Sequence, residues 1–334
     1  MSLRAADEKE EGQLQTAIRN PLRIADAPTE SLAEAAAAFL SYSAAKNLSP
    51  RTLEYYRERL TGFAVFLDGG YPGLPPGEVT SAVVREFVTW TRERTSPATA
   101  NHGLAVVRRM FAFLVAEGFL QKNPCATVSK LAEERRLLQT FSEEQVRAIL
   151  ATCGRDFYGM RDRAILLTLL DTGLRASELC SLSLSDVDWT NQTFRVFGKG
   201  SRERSVPFGQ AVRSALSSYL AKRGDADGPL FVNHYAEPLN RYRLRELVRR
   251  RSESAGIQGV RCSPHTFRHT CAVSFLRAGG DTFTLQRLLG HTSQAMTARY
   301  CESLSAEDVR EQHRLHSPAD ALAPKAKTGR RRLR

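Results

Sequence analysis

Hydrophobic positions first recur at helical spacing at Leu32, Ala35, Ala36, Phe39 and Leu40, which predicts a helix from Ser31. Asn47-Leu48-Ser49-Pro50 then interrupts the pattern. Ser49 stands where a helix cap belongs, with Pro50 in the first turn. Tyr55, Leu60, Phe63 and Phe66 mark a second helix that runs to Asp68-Gly69-Gly70. Beyond the Gly/Pro-rich turn YPGLPPGE come two more amphipathic stretches, at about 80–94 and, past Ser96-Pro97, about 98–117. Four helices with short connections predict a small bundle over residues 31–120.

Residues 121–139 are polar and carry no core pattern, so they read as a linker. A second domain, 140–316, opens with Phe141-Ser142-Glu143-Glu144-Gln145, where Ser142 and Gln145 form a capping-box pattern. A helix from Arg161 to Leu170 ends at Asp171-Thr172-Gly173. Strand signals are confined to Thr193–Phe197 and Arg204–Pro207, which flank Gly198-Lys199-Gly200 as a hairpin or small sheet edge. Helices return from about Gly209 and run through the basic stretch Arg241–Arg251, then continue at Pro264–Ala278, Asp281–Leu289 and Ser293–Tyr300. A short amphipathic piece, Val309–Leu315, precedes Pro318. The expected fold is mainly α with a small β-sheet: a helical N-terminal domain followed by an α+β domain. Residues 1–30 read as a flexible leader and 317–334 as a basic tail.

Composition narrows the class. Of 334 residues, 42% are hydrophobic and 25% charged, which excludes disorder, collagen-like repeats and a coiled coil as the main state. Lys and Arg number 48 against 36 Asp and Glu, a net charge of +12, and that surplus points to a polyanionic partner. The last ten residues, KAKTGRRRLR, hold six of those basic side chains and no acidic one, half of the net surplus. No apolar run reaches the roughly 20 residues a membrane span needs. The first residues, MSLRAADEKEEGQLQ, are acidic and polar where a signal peptide is basic and then apolar, so a cytoplasmic location is expected. Cys125, Cys153, Cys180, Cys262, Cys271 and Cys301 lack zinc-knuckle spacing and read as reduced thiols.

Candidate chemistry lies in five segments of the second domain: Thr172-Gly173-Leu174-Arg175-Ala176-Ser177-Glu178-Leu179, Gly198-Lys199-Gly200, His265-Thr266-Phe267-Arg268-His269, Leu288-Leu289-Gly290-His291-Thr292 and Ala298-Arg299-Tyr300. Each has a plain reading when it stands alone. Arg175 could cap a helix, Lys199 could sit at an exposed hairpin tip, and Tyr300 could be a core residue. His265 and His269 have the spacing of two zinc ligands, yet the Glu that follows the first His of a metalloprotease is absent.

Taken in order, the five segments resemble the tyrosine recombinase (phage integrase) family, whose signature is Arg, Lys, His-x-x-Arg, His or Trp, then Tyr. Tyr300 follows His291 at the family's spacing. Asn47–Phe66 looks like the start of that family's core-binding domain and Asn123-Pro124 like its end, so the resemblance spans roughly residues 31–316. It implies a core-binding domain that clamps DNA and a catalytic domain. The phenol of Tyr300 would attack phosphorus and form a 3′-phosphotyrosyl bond that conserves the energy of the phosphodiester, so no cofactor, nucleotide or metal is expected. Arg175 and Arg268 would supply planar, permanently charged forks for phosphate oxygens. Lys199 would protonate the leaving oxygen, and His265 would act as general base or hydrogen-bond partner. His291 would hydrogen-bond a phosphate oxygen and help position the tyrosine; Glu178 would orient the site or be a plain surface charge. Arg51, Arg202, Arg243 and Arg245 are candidate DNA contacts, the last two within the run Arg241, Arg243, Arg245, Arg249, Arg250 and Arg251, most of which is expected to face solvent. The resemblance further implies a homotetramer acting on two duplexes of recombination-site DNA through a Holliday junction, with the segment from Ser305 docking on a neighbouring protomer. The stretch 281–293 looks closer to integrases of mobile elements. Chromosome or plasmid dimer resolution of the Xer type, or a catalytically silent DNA-binding regulator, are the alternatives.

Overall fold

In the computed structural model the described residues are 30–133, 138–198, 203–224, 227–233 and 235–319. The leader up to residue 29, Lys199, Arg202 and the tail from residue 320 lie outside them. The chain forms two compact units that divide between residues 135 and 136.

The first unit holds α1 (Leu32–Ala45), α2 (Pro50–Gly70), α3 (Ser81–Arg94) and α4 (Pro97–Ala116). Each opens on a hydroxyl cap. Ser31, Ser49, Thr80 and Ser96 accept from the backbone N–H groups of Glu34, Thr52, Val83 and Thr99, and a cap of this kind contributes about 1 kcal/mol. The apolar stripes meet in a core where Phe63 packs edge-on against Phe87, with ring centroids 4.9 Å apart, and against Phe111 at 6.3 Å.

Residues 121–139 are not a free linker along their whole length. Cys125 and Val128 are buried in the first core. The Arg108 guanidinium donates to the carbonyls of Cys125 and Val128, and the Asn101 side chain pairs with both the N–H and the carbonyl of Leu131. Two polar side chains of α4 thus hold backbone that shows no apolar periodicity of its own.

The second unit begins with α5 (Glu143–Ala151), whose capping box forms as expected between Ser142 and Gln145. Its centre is α6 (Phe157–Thr172), packed against α8 (Gln210–Arg223) and α10 (Pro264–Arg277). Helix α6 starts earlier than its pattern suggests, because the Asp156 carboxylate caps the Gly159 N–H. Short helix α7 (Ala176–Ser181) leads to the antiparallel sheet β1 (Val187–Asp188), β2 (Thr193–Phe197) and β3 (Glu203–Pro207), in that order, with Phe194 opposite Val206. The pattern revealed only β2 and β3; β1 is too short to show alternation.

Helix does not run on from α8 into the basic stretch. Gly224 and Gly228 take positive φ, and the intervening chain makes bridges Ser183–Pro229 and Val232–Pro238 while burying Leu230 and Phe231. Helix α9 (Arg241–Ser254) then buries Leu244, Leu247 and Val248. Its basic run is divided. Arg241, Arg243 and Arg245 are exposed. Arg249 pairs with Glu246 and Glu253, and Arg251 grips the fully buried Asp162 at 2.7 and 2.9 Å alongside Arg161. That pairing makes the partly buried Arg251 the exception in a run whose other five arginines are exposed, as expected for most of it. The last helices among the described residues are α11 (Thr282–Leu289), α12 (Gln294–Cys301) and α13 (Ala306–His316). Among the described residues no helix is long and apolar enough to cross a membrane.

Candidate active site

Four elements bring the site together. Helix α6 stops at Gly173, which takes the left-handed conformation (φ +59°), and the turned chain presents Arg175 as the cap residue of α7. One turn into α7, Glu178 is only 4% exposed. Its carboxylate accepts the backbone N–H of Arg175 at 2.9 Å, the Arg175 guanidinium at 2.8 Å, and both ends of the Arg204 fork at 3.0 and 2.9 Å. Burial pushes the Glu178 carboxyl up, but these donors outweigh it and hold the group below its usual range, so it is an anion.

Helix α10 carries His265 and, one turn on, Arg268 and His269. Arg268 is 4% exposed and donates to the carbonyls of Gly173 and Leu289 and to His291 Nε2 at 2.9 Å. Its charge also acts on the nearby Tyr300 phenol. A guanidinium can only donate, so Nε2 of His291 is the acceptor. The ring proton therefore sits on Nδ1, which donates to Thr297 Oγ1 at 2.8 Å. Burial, with Arg268, Arg175 and Arg204 nearby, holds His291 down to about 4, so this imidazole is neutral at physiological pH.

Tyr300, near the end of α12, is 5% exposed and packs in a small core with Ala272, Val273, Leu276, Leu285 and Leu289. Its ring neighbours two imidazoles: His291, parallel within 6° at 6.0 Å, and His269, tilted at 5.7 Å. Burial raises the phenol above its ordinary value while Arg268 opposes the rise, and the hydroxyl keeps its proton. His269 is held to about 4 by burial and by His265, Arg268 and Arg299. His265 stays on the open side, lowered by partial desolvation and then by Arg268, Arg245, Arg261 and Arg175. Among the described residues no group of three or more His, Cys, Asp or Glu side chains is placed to hold a metal ion.

The family model for the phage integrase family matches residues 139–307, and that for the phage integrase N-terminal SAM-like domain matches residues 37–118. Tyrosine recombinase XerC of Pelobacter propionicus is 34% identical over 85% of this chain and 92% of its own length. The chain belongs to the phage integrase family. It is accordingly a tyrosine recombinase, an enzyme of site-specific DNA recombination. Another relative, tyrosine recombinase XerD of Xanthomonas axonopodis, is 32% identical over 82% of this chain and 94% of its own. Among solved structures, the Tn1549 transposon integrase with circular intermediate DNA superposes with a TM-score of 0.71 at 20% identity, over 86% of this chain and 100% of that one. The lambda integrase tetramer on a Holliday junction gives 0.68 at 18%, over 81% and 80%. At those identities the likeness is one of fold.

Within this phage integrase fold, Arg175, Glu178, Arg268, His291 and Tyr300 share one network, with His265 at its rim. Lys199 and Arg202 fall outside the described residues. Arg51, on α2, is exposed and paired with Glu54 at 3.1 Å; Arg243 and Arg245 are exposed on α9. Two members of the network were not read from sequence. Arg204 gave only a strand signal, and Thr297, 1% exposed, offered no motif.

Proposed function

We propose that this recombinase cuts and rejoins duplex DNA with Tyr300 as nucleophile. The phenolic oxygen attacks phosphorus, the bond to the 5′-oxygen breaks, and the 3′-phosphate remains esterified to Tyr300 until a 5′-hydroxyl reverses the step. The observation that carries this reading is the stacking of Tyr300 at 6.0 Å on neutral His291, which accepts from Arg268 at 2.9 Å, with Arg175 held next to them on the Gly290 carbonyl. In it Arg175 and Arg268 engage the non-bridging oxygens, Lys199 protonates the leaving oxygen, His265 handles a proton at the rim, and Glu178 orients Arg175. Arg51, Arg202, Arg243 and Arg245 contact the duplex, and four protomers act on two duplexes through a Holliday junction, in the cytoplasm.

The role we favour is integration or excision of a mobile element, supported by the character of residues 281–293. Dimer resolution of the Xer type is the second reading, favoured by the 34% identity to XerC over 85% of the chain. Terminal repeats and transposition genes beside the gene support the first; their absence beside a chromosomal dimer site supports the second. For the chemistry, a pool of nicked duplexes with a randomised core is incubated with the protein and quenched in denaturant. The wild-type chain should retain covalent DNA and Tyr300→Phe should not. An adduct that persists in Tyr300→Phe overturns the choice of nucleophile, and no adduct across the whole pool favours a catalytically silent DNA-binding regulator.

A further inference from the structure

Glu178 has two guanidinium partners, and they hold it unequally. Arg204 meets the carboxylate fork to fork, Nη1 on Oε1 at 3.0 Å and Nη2 on Oε2 at 2.9 Å, with its side chain 16% exposed. Its Nε donates to the Leu288 carbonyl at 3.4 Å, so all three nitrogens are turned into the protein. Arg175 spends one nitrogen on Oε1 at 2.8 Å and another on the Gly290 carbonyl at 3.0 Å, and its side chain is 33% exposed. A bidentate guanidinium–carboxylate pair is the stronger geometry. The carboxylate is thus committed to Arg204, and Arg175 keeps N–H donors that face solvent.

We propose that Arg204 is a positioning residue: it occupies Glu178 so that Arg175 stays available to an incoming phosphate. This rests on the reading of Arg175 as a phosphate-binding group. A buried carboxylate needs a counterion. Without Arg204, the counterion at hand is Arg175, which would close on Glu178 in the bidentate geometry and turn its donors away from the substrate side. The charged and titratable groups around Glu178 are Arg175 on α7, Arg204 on β3, Arg268 on α10 and neutral His291 in the turn before α12. Arg268 already spends donors on the Gly173 and Leu289 carbonyls and on His291, which leaves Arg175 as the group that would be drawn in.

The consequence is a reversal of sign between two mutations. Arg204→Gln should slow covalent adduct formation from the nicked-duplex pool roughly 100-fold at saturating DNA, the scale of losing one well-placed donor to a developing charge. Adding Glu178→Gln removes the anion that captures Arg175, so the double variant should form adduct about tenfold faster than Arg204→Gln alone. A role confined to packing predicts the opposite, since a second lesion in the same network would deepen the loss. Arg204→Lys, which keeps one cation at one oxygen, should fall between wild type and Arg204→Gln. If Arg204→Gln does not fold, the same comparison is made on Arg204→Lys with and without Glu178→Gln. A double variant as slow as or slower than its Arg204 parent overturns the proposal. Arg175→Ala serves as the separate control: adduct at the wild-type rate in that variant sinks the phosphate-binding reading itself, and this proposal with it.

Discussion

Gly290 offers the most direct test of how tightly the site is built. Its φ is +63°, and a Cβ placed there would stand 2.8 Å from Cζ and 2.9 Å from both Nε and Nη1 of Arg204. A guanidinium at the end of a long side chain could ordinarily swing aside. Here the bidentate bond to Glu178 and the bond to the Leu288 carbonyl fix it. Gly290→Ala therefore carries two costs. The left-handed backbone costs an L-residue about 1–2 kcal/mol, and overpacking against a locked group costs about 1–3 kcal/mol more. Gly259 separates them, because its φ is +75° yet nothing lies within 4 Å of a Cβ built there. Gly259→Ala should show the backbone cost alone. Both variants are unfolded in urea in a Trp90→Phe background, so that Trp189 reports on the second unit. Gly290→Ala should lose roughly 1–3 kcal/mol more than Gly259→Ala and should also slow adduct formation, since the same Cβ displaces Arg204 or the turn that leads to His291. Equal losses in the two variants would refute the claim that Arg204 is fixed.

Three further outcomes follow from the same geometry. Asp162→Asn leaves Arg161 and Arg251 without their buried anion, so equilibrium unfolding should show a loss of about 3–5 kcal/mol, while adduct formation by the folded fraction stays near wild type. His269 and His291 remain neutral in the folded chain down to about 4, whereas a free imidazole protonates near 6.5; the unfolded state therefore binds more protons as pH falls through that window, and stability should fall between about pH 6.5 and 4. His269→Gln should make that fall shallower in urea titrations at several pH values, and an unchanged slope would count against the assignment. Removing residues 325–334 takes away six basic side chains, which should weaken duplex binding and flatten its salt dependence, with adduct formation at saturating DNA intact; loss of the adduct there would tie the tail to the chemistry.

What the sequence disclosed depended on how far apart cause and effect lie along the chain. Helix starts with Ser49-Pro50, Ser96-Pro97 and Ser142 through Gln145 were legible because a cap and its partner are three residues apart. The packed stretch 123–131, which buries Cys125 and Val128, was not, since its polar backbone is satisfied by Asn101 and Arg108 from α4. The family signature made Arg175, His265, Arg268, His291 and Tyr300 visible as an ordered set. Arg204 escaped because its partners are 26 and 84 residues away, and on β3 it alternates like any strand residue. Nor could a motif show that His291 is neutral, which follows from a guanidinium at one nitrogen and a hydroxyl at the other.

The local charge of the site is a separate matter from the net +12 of the chain. Among the described residues around Tyr300, Arg175 and Arg204 pair with the carboxylate of Glu178, Arg268 stands nearby, and neutral His291 and His269 add nothing. Positive charge is in excess, and Arg299 near Tyr300 adds to it. A phosphodiester brings one negative charge, and the five-coordinate phosphorane reached when an oxyanion adds to it carries two. That excess favours the more highly charged transition state over bound DNA, the condition under which binding energy lowers a barrier. Long-range attraction to a polyanion needs only the sum of surface charge, and the tail supplies half of that sum. On the proposed mechanism, stabilising the transferring phosphoryl group requires Arg175 and Arg268 to keep their donors, so replacing the partner of Glu178 should slow the reaction more than replacing the exposed arginines on α9.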